Sequence, residues 1–322
     1  MSTAMRSVTL HRLRVFEAVA RLASVSAAAR ELHLTQPAVS MQVKQLEEQV
    51  GLPLTERVGR RIQLTDAGEE VALHARRLAQ QVREAEAALD AMKGLRAGRI
   101  DIGVVSTAKY FAPRLLAEYQ RRHPDIDLKL SVANRAEVVQ MLHDHVVDVA
   151  IMGTPPQHFE CEAARIAEHP LAWLASPQHP LAALANIEPA RLNEERLIVR
   201  EPGSGTRGAM DRYLRAHRIH PAQMLEMSSN ETIKQAVMAG MGIAFLSEHT
   251  VGLELQTRRL VRLRLKDTPV LRHWYFVHRT DKRLLPAARA FRDFLLVDGA
   301  RLIEAQMMLQ KSAVRGSRRA RR

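Results

Sequence analysis

The segment from Ser26 to Thr65 constrains the fold of this chain more than any other. It contains two short helices, a tight turn between them and a basic hairpin after them. The second helix is predicted to begin at Thr35, whose hydroxyl is a favourable N-cap, with Pro37 near the first helical position, where its missing N–H costs nothing. The first helix, from about Ser26 to Leu32, is expected to bury Ala28, Ala29 and Leu32. The apolar positions of the second follow a 3.6-residue spacing and are Val39, Val43, Leu46 and Val50.

The polar face of the second helix and the hairpin carry the predicted contacts with DNA. A glutamine near a helix N-terminus bonds an adenine edge or a phosphate, and a lysine one turn later reaches the backbone. Guanidinium groups beside a glycine turn suit phosphates or a minor groove. The predicted DNA-binding residues are Ser26, Thr35, Gln36, Pro37, Ser40, Met41, Lys44, Arg57, Arg60 and Arg61. The alternative is a buried helical hairpin with a solvated basic loop.

Positive charge is concentrated at the two ends of the chain. The formal net charge is +13, whereas residues 1–65 hold nine Lys/Arg against five Glu, and the last twelve residues hold six basic and no acidic side chains. The residues between these two segments carry a net charge of only +3. Basic ends on either side of a nearly neutral central region are typical of a nucleic-acid-binding protein. The tail 311–322 has little apolar surface to bury and is predicted to be disordered. It either adds non-specific DNA affinity or serves as a solubilising terminus.

Several classes of protein are disfavoured by what the sequence lacks. The single cysteine, Cys161, allows no disulfide framework and no zinc finger, and is expected to be a small strand residue. No apolar run approaches the ~18 residues of a membrane span and no leader is recognisable, so we expect a soluble, cytoplasmic protein without membrane contact. H-E-x-x-H, P-loop, G-x-S-x-G and Cys/His motifs are missing, so no metal, cofactor or catalytic residue is predicted.

A long helix is predicted from Asp66, with Asp66 and Glu69 as a variant capping box. Its apolar residues recur with alternating steps of four and three, which is a heptad seam over about 27 residues, or roughly 40 Å. We expect this seam to form a dimer interface, although packing against its own chain is the alternative. The seam is Val71, Ala75, Leu78, Val82, Ala85, Leu89 and Met92, and the predicted dimerisation residues are Val71, Leu78, Val82 and Leu89.

Beyond the glycines at 94 and 98, strands alternate with helices, which predicts an α/β sensor. Residues 160–174 are expected to cross into a second lobe, with a return near residue 268. A small ligand is predicted between the lobes. Hydroxyls and amides at strand ends and helix N-termini suit an anion, and the predicted effector-binding residues are Ser106, Thr107, Asn134, Thr154, Gly203, Ser204, Gly205, Thr206, Arg207, Asn230 and Thr232. Arg207 is expected to pair with a phosphate; its alternative is a surface salt bridge.

The loop that contains Gly203, Gly205 and Gly208 matches G-x-G-x-x-G, with Glu226 near the distance expected of a ribose-binding acid. Taken alone, this motif indicates a nucleotide-dependent enzyme. No acid/base constellation accompanies it, and a glycine-rich anion nest has the same signature. We therefore predict that the chain is not an enzyme.

The run LRVFEAVARLASVSAAARELHLTQPAVSMQVKQLEEQVGLPLTERVGRRIQLTDAG resembles the DNA-binding region of LysR-type transcriptional regulators. The resemblance extends over nearly the whole chain. It departs from the family at Thr55, where Phe is usual, and at Met41, where Arg is common. It implies an α/β multi-domain protein with an N-terminal winged helix-turn-helix, a long dimerising linker helix and a bilobed, periplasmic-binding-protein-like effector domain.

The expected boundaries follow from the pattern and the resemblance together. They are 1–65 for the DNA-binding domain, 66–93 for the linker helix, 94–310 for the effector domain (lobe I 99–160 plus 268–300, lobe II 161–267) and 311–322 for the tail. The implied partners are double-stranded DNA, further copies of the chain as a dimer or tetramer, a small anionic metabolite and RNA polymerase.

Five further strings resemble the LysR subgroup that controls RuBisCO (Calvin-cycle) operons: HLTQPAVSMQVKQLEEQVGLPL, DVAIMGTPP, REPGSGTR, SSNETIKQAVMAGMGIAFLSEHT and WYFVHR. This resemblance implies an activator or dual regulator of carbon fixation genes. Its effector would be a phosphorylated sugar, phosphoenolpyruvate or NADPH. A regulator of another operon with a carboxylate effector stays open, as does an architectural DNA binder without sequence preference.

Overall fold

A computed structural model describes residues 8–58, 61–92 and 98–319. The chain divides into two compact units, Met1–Leu95 with Asp144–Val146, and Arg96–His143 with Val147–Arg322. Within the described ranges, none of the helices combines the length and the apolar character that a membrane span requires. Arg60 lies outside the described residues, as does the side chain of Arg61.

The first unit contains three helices, a two-stranded hairpin and a long helix. Each short helix has a side-chain cap: Thr9, Ser24 and Thr35 accept from Arg12, Ala27 and Ala38 N–H groups. The N-cap at Thr35 is thus confirmed, whereas the preceding helix begins at Val25 and not at Ser26, because the Ser24 hydroxyl caps it. The elements are α1 (Leu10–Leu22), α2 (Val25–Glu31), α3 (Gln36–Val50), β1 (Thr55–Val58), β2 (Arg61–Leu64) and α4 (Asp66–Met92).

The core of this unit is formed where α1, α2 and α3 meet. Phe16, Ala28, Val39 and Leu46 are fully buried there, and Leu54 closes the core just before the hairpin. The predicted stripe on α3 therefore faces inward, although Val50 is only half-buried, as is Leu32 at the end of α2. Burial of this stripe leaves the opposite face of α3 on the surface.

The long helix α4 begins differently from the predicted capping box. Thr65 is its N-cap, because its hydroxyl accepts from the Gly68 N–H at 3.0 Å and its carbonyl from the Glu69 N–H at 2.8 Å. Ala72 and Ala75 are buried in the core of the same unit, and Val71 packs against that core. The first turns of α4 therefore pack against their own chain, which was the alternative to a dimer interface.

In the described part of the second unit, nine strands form one mixed sheet, in the order β4-β3-β5-β11-β6-β9-β7-β8, with β10 paired to β6. Two long strands, β6 and β11, pair antiparallel over their whole shared length and run through both lobes. The strands are β3 (Gly98–Val105), β4 (Ile126–Ala133), β5 (Val149–Met152), β6 (Cys161–Ala175), β7 (Arg196–Arg200), β8 (Gln223–Met227), β9 (Ile243–Ser247), β10 (Val261–Arg262) and β11 (Val270–Arg279).

Helices cover the sheet, and most of them follow a parallel strand, as a strand–loop–helix repeat requires. The helices are α5 (Ala112–Arg122), α6 (Arg135–His143), α7 (Gly205–Ala216), α8 (Asn230–Met238), α9 (Gly252–Gln256) and α10 (Pro286–Arg319). Four short 3₁₀ helices join them: η1 (Ala108–Tyr110), η2 (Pro180–Ala183), η3 (Pro189–Glu194) and η4 (Glu248–Thr250).

The second unit has separate cores at the two ends of β6. One core gathers β3, β5, α5, α6, the C-terminal half of β11 and α10 around Phe276 and Phe291. The other end has a core on each face of the sheet, one around Trp173 and Phe245, the other around Leu174 and Leu246. Because β6 and β11 contribute to both ends, they connect two lobes and leave a cleft between them.

The C-terminal helix is the main difference from the sequence-based prediction. Residues 311–319, expected to be disordered, continue α10, and residues 320–322 lie outside the described part. Composition predicts whether a segment can bury a core, whereas Lys, Ala and Arg, which make up five of residues 311–319, favour the extension of a helix that has already begun.

Candidate functional site

The predicted DNA-contacting side chains lie together on the surface of the first unit. All those in the described part are exposed, Lys44 by 78% of its side chain. They are Ser26, Thr35, Gln36, Pro37, Ser40, Met41, Lys44 and Arg57. The Gln36 amide donates to the Ser26 hydroxyl at 2.5 Å, which fixes the N-terminus of α3 against α2. The buried-hairpin alternative therefore does not describe this surface.

Glu47 connects α3 to the hairpin formed by β1 and β2. Its Oε1 accepts three hydrogen bonds, from the N–H of Leu54 at 2.9 Å, the N–H of Thr55 at 3.0 Å and the Thr55 hydroxyl at 3.1 Å. Thr55 stands where a phenylalanine is usual in the resembled family. Its hydroxyl thus supplies a polar contact in place of an aromatic anchor, and the hairpin stays attached to the helix.

A narrow cleft with a cavity volume of about 20 Å³ lies between the two lobes of the second unit, at the ends of β3, β5 and β7. Parallel strands bring their carboxyl ends to one edge, so loops far apart in sequence meet there. Six of the predicted effector residues line this cleft, namely Ser106, Thr107, Thr154, Ser204, Gly205 and Thr206. The other five lining residues are not among the predicted effector-binding residues; they are Val105, Arg135, Gly153, His169 and Arg272.

Two guanidinium groups in the cleft have only neutral partners. Arg135 donates to the carbonyls of Thr154 and Pro155 at 2.9 and 3.0 Å. Arg272 donates to the carbonyls of Gly205 and Gly153 at 2.9 and 2.5 Å and to the Thr154 hydroxyl. Among the described residues, neither forms an ion pair with a carboxylate.

The charge at this place is therefore uncompensated. Burial, followed by the nearby cations Arg212 and Arg135, lowers the pKa of Arg272 to about 10. Burial and Arg212 likewise lower the pKa of Arg135. Groups that lower one another's pKa in this way are stabilised by an anion placed between them.

The N-terminus of α7 adds backbone donors to the same place. The helix begins at Gly205, and its N-cap Ser204 makes no side-chain capping bond. The first N–H groups of a helix have no intrahelical acceptor and carry a partial positive charge. Together with the hydroxyls of Thr154 and Thr206, they are arranged to bind a small anion.

Five predicted effector residues do not line the cleft. Asn134 caps α6 in a reciprocal pair with Glu137, each bond 3.0 Å long. Gly203 accepts the Ala136 N–H at 3.2 Å, and Thr232 is exposed on α8. Asn230 accepts a hydrogen bond from Arg200 in a neighbouring polar cluster. The structure thus gives the Asn134 side chain a capping contact and the Asn230 side chain a bracing contact outside the cleft.

Arg207, predicted to bind phosphate, instead forms the surface salt bridge that was its alternative. Its Nε donates to Asp211 at 2.9 Å, and its Nη1 lies 3.7 Å from Glu226. Glu226, the proposed ribose-binding acid of the glycine motif, is thereby engaged with an arginine. Both observations count against a nucleotide-binding enzyme in this loop.

A second polar cluster joins the lobes beside the cleft. Buried Arg200 donates to the Ser106 hydroxyl at 3.1 Å, to Asn230 Oδ1 at 2.7 Å and to both oxygens of Glu201. Tyr110 donates to Glu231 nearby. Ser106 therefore has a partner in the opposite lobe, which braces the lobes as they stand.

The two arginines and the histidine were not predicted from the sequence. Arg272 and His169 are cross-strand partners on β11 and β6, a pairing of distant segments that no local motif indicates. Arg135 is the first residue of α6, and no local pattern distinguishes it from a surface arginine at the start of a helix. The free thiol of Cys161 begins β6 as predicted, and burial raises its pKa.

The described residues contain no group of three or more His, Cys, Asp or Glu side chains arranged to hold a metal. Comparison with known families gives two matches. Residues 10–69 match the bacterial regulatory helix-turn-helix protein, lysR family, and residues 93–298 match the LysR substrate binding domain. The second match alone covers more than half of the chain.

Individual relatives agree with these matches. The RuBisCO operon transcriptional regulator of Allochromatium vinosum is 50% identical over 92% of this chain and 98% of its own. The HTH-type transcriptional regulator CbbR of Rhodospirillum rubrum is 48% identical over 89% of this chain and 95% of its own. The regulatory domain of CcmR from Synechocystis PCC6803, solved in complex with 2-PG, is 36% identical with a TM-score of 0.60, and covers 62% of this chain and 96% of its own.

These comparisons confirm the predicted fold, an N-terminal helix-turn-helix followed by a two-lobed α/β domain, and they confirm the family resemblance. Members of this family are transcription regulators that bind DNA and small effectors, and not enzymes. The chain belongs to the LysR family of bacterial transcriptional regulators.

Proposed function

We propose that this regulator controls carbon fixation genes in response to a small phosphorylated metabolite held between the sensor lobes. The observation that supports this class of effector is the pair of cleft arginines, Arg135 and Arg272, which lie beside the N-terminus of α7, have no carboxylate partner among the described residues and have the further cation Arg212 nearby. The gene target rests on the relatives, one of which is named for the RuBisCO operon.

The cleft is narrow in this structure. Its cavity volume of about 20 Å³ is space for about one water molecule, so a ligand requires the lobes to separate. Phosphoenolpyruvate, a small sugar phosphate or a phosphorylated acid such as 2-phosphoglycolate requires a smaller separation than NADPH, which is a larger molecule. The 2-PG bound by the related CcmR domain points to the same class of ligand.

On DNA, α3 enters a major groove and the β1–β2 hairpin lies along the backbone. Gln36, Ser40 and Met41 face base edges, and Lys44 and Arg57 face phosphates. A dimer formed through α4 presents two such units to two half-sites. Further pairing into a tetramer, contact with RNA polymerase and a place in the cytoplasm, where chromosomal DNA lies, belong to the same proposal.

Thermal unfolding of the full-length protein against a panel of anions tests the effector. The panel contains inorganic phosphate, 2-phosphoglycolate, phosphoenolpyruvate, ribulose bisphosphate, NADPH and an aromatic acid. A ligand at a hundred times its dissociation constant adds about 2.7 kcal/mol to the stability of the folded protein. We expect a phosphorylated compound to raise the melting temperature, and the same compound to change binding to DNA from upstream of the RuBisCO genes.

Two arginine variants locate the site. Arg272→Lys keeps the charge but loses the planar fork, so we expect an affinity at least about tenfold lower. Arg207→Lys is the matched control and should bind within about twofold of the unchanged protein, because Arg207 is already paired with Asp211. Equal losses in both variants, or a response only to the aromatic acid, would contradict the proposed site and its phosphorylated ligand.

A further inference from the structure

The side chain of His169 lies at the base of the cleft in a fixed orientation. It is 3% exposed and stacks on Trp274, with ring centroids 3.9 Å apart and an interplanar angle of 16°. On its other side, a Cβ added to Gly153 would lie 2.9 Å from Nδ1 of the imidazole. The ring is thus held between β11 and the end of β5, and it forms part of the cleft wall.

Neither ring nitrogen of His169 has a hydrogen-bond partner among the described residues. A histidine that serves only the core is normally bonded to a carbonyl or a carboxylate, because an unpaired buried polar atom costs stability. Here the imidazole forms part of a cleft whose other groups suit an anion. Both nitrogens are buried in this structure and uncommitted to any protein group, so they can bond a molecule for which the lobes separate.

The charged and titratable groups that face His169 are cationic or neutral. Arg272 is its cross-strand partner and His273 the next residue on β11, while the ring of His249, on η4, lies 5.9 Å away. Arg135 lines the same cleft from α6. Burial, followed by Arg272, holds the pKa of His169 well below its usual range. The imidazole is therefore neutral, with one N–H donor and one acceptor nitrogen.

We propose that His169 is an effector-binding residue, and that the effector accordingly carries two polar groups. The arginines and the N-terminus of α7 hold its phosphate, and the imidazole bonds a second oxygen, from a carboxylate or a hydroxyl, at the other end of the molecule. This inference rests on the proposed function and makes it more specific, since a phosphate alone does not occupy both places.

Calorimetric titration of the full-length protein with two probes tests this assignment. 2-Phosphoglycolate carries a phosphate and a carboxylate, and inorganic phosphate carries only the first group. His169→Phe keeps the stacking on Trp274 and removes both nitrogens. We expect its affinity for 2-phosphoglycolate to fall at least about tenfold, since the lost bond is to a charged group, while its affinity for phosphate stays within about twofold. His249→Phe is the matched control, because it changes the same aromatic cluster outside the cleft wall, and should alter neither affinity.

The pH dependence identifies the second oxygen. A bound carboxylate raises the pKa of the imidazole, whereas the phosphate of the probe itself loses charge near pH 6 in both proteins. The informative quantity is therefore the ratio of the affinities of the unchanged protein and His169→Phe, which we expect to increase as the pH falls. For a ligand with a hydroxyl at that end, such as glycerol 3-phosphate, the affinity loss in the variant remains but the pH dependence of this ratio does not. Either pattern supports the proposal.

The inference is overturned if His169→Phe, folded by circular dichroism, binds 2-phosphoglycolate as tightly as the unchanged protein; the proposed function then still stands. Loss of both probes in equal measure also overturns it, since that indicates a merely structural role. His169→Leu gives the same test if the Phe variant does not fold. If the unchanged protein binds neither 2-phosphoglycolate nor phosphate, this inference is overturned, whereas the proposed function is decided by the wider panel of anions.

Discussion

Among single residues, the choice between arginines shows how neighbours decide what a charged side chain does. Arg207 and Arg272 both lie close to the glycine loop, but Asp211 stands one helical turn after Arg207 and neutralises it. Arg272 has carbonyl partners and cationic neighbours, and so keeps its charge for a ligand. The i,i+4 pair was visible in the sequence, and it is the better guide to the role of Arg207 than the motif around it.

Glu47 is the residue on which the geometry of the DNA-binding unit most depends. Replacing Glu47 with alanine removes three hydrogen bonds to the start of the hairpin. We expect a loss of about 1–3 kcal/mol in the free energy of unfolding, since hydrogen bonds to charged groups are the stronger ones. Affinity for DNA should also fall, because the hairpin is no longer fixed to α3. Denaturant unfolding and a gel-shift titration measure the two effects.

Glu48→Ala is the matched control for this prediction. Glu48 is adjacent and exposed, and it reaches Lys44 only at 4.0 Å. Its removal should change stability by less than about 0.5 kcal/mol. If the two variants unfold alike, Glu47 does not anchor the hairpin.

At the level of elements, the environment of α4 changes along its length from buried to exposed. Its first turns are buried by the core of their own unit through Ala72 and Ala75. Further on, Leu78 is 45% exposed and Leu89 56% exposed, both on the predicted seam. Large apolar side chains exposed in a row on one face of a helix are typical of an interface with a second helix.

The double variant Leu78→Asp/Leu89→Asp tests whether this face forms the dimer. Two carboxylates on an apolar seam lose their solvation on association, so we expect dissociation into monomers and a marked loss of affinity for DNA with two half-sites. Sedimentation velocity measures the mass. Arg83→Asp, about 140° around the helix from Leu78, introduces the same charge away from the seam and should leave the mass unchanged. A double variant that remains dimeric would place the interface elsewhere.

For the molecule as a whole, buried neutral histidines link stability to pH. Burial lowers the pKa of His249 from 6.5 to about 4, with Glu248 acting weakly in the opposite direction. The unfolded chain therefore binds a proton near pH 6.5 that the folded chain does not accept until about pH 4. Stability is fully present above pH 6.5 and decreases as the pH falls through this window. His249 alone accounts for about 2 kcal/mol between pH 7 and pH 5.

Unfolding midpoints measured from pH 7.5 to 4.5 check this linkage. Carboxylates elsewhere also contribute at low pH, so the informative quantity is the difference between the unchanged protein and His249→Phe. Between pH 7 and pH 5, we expect the free energy of unfolding to fall by about 2 kcal/mol less in His249→Phe than in the unchanged protein. Parallel curves for the two proteins would show that His249 is not held neutral.

Features that depend on residues a few positions apart could be predicted from the amino-acid sequence. The cap at Thr35, the inward stripe on α3, the alternation of strands and helices and the anion-friendly loop before α7 all follow from local spacing and local backbone chemistry. These features were sufficient to predict the family and six of the residues that line the cleft. The start of α4 and the continuation of α10 were missed because a cap and a helix end differ by single residues and weak propensities.

Contacts between segments that are distant in the sequence could be read only from the folded molecule. The register of β6 with β11 places His169 opposite Arg272, and the meeting of strand ends adds Arg135 from α6. The core of the first unit buries Ala75, which the heptad pattern alone assigned to a partner. Each of these outcomes depends on which surfaces meet when the chain collapses. Because a periodic pattern shows that a face is apolar without showing what covers it, this information resides only in the folded molecule.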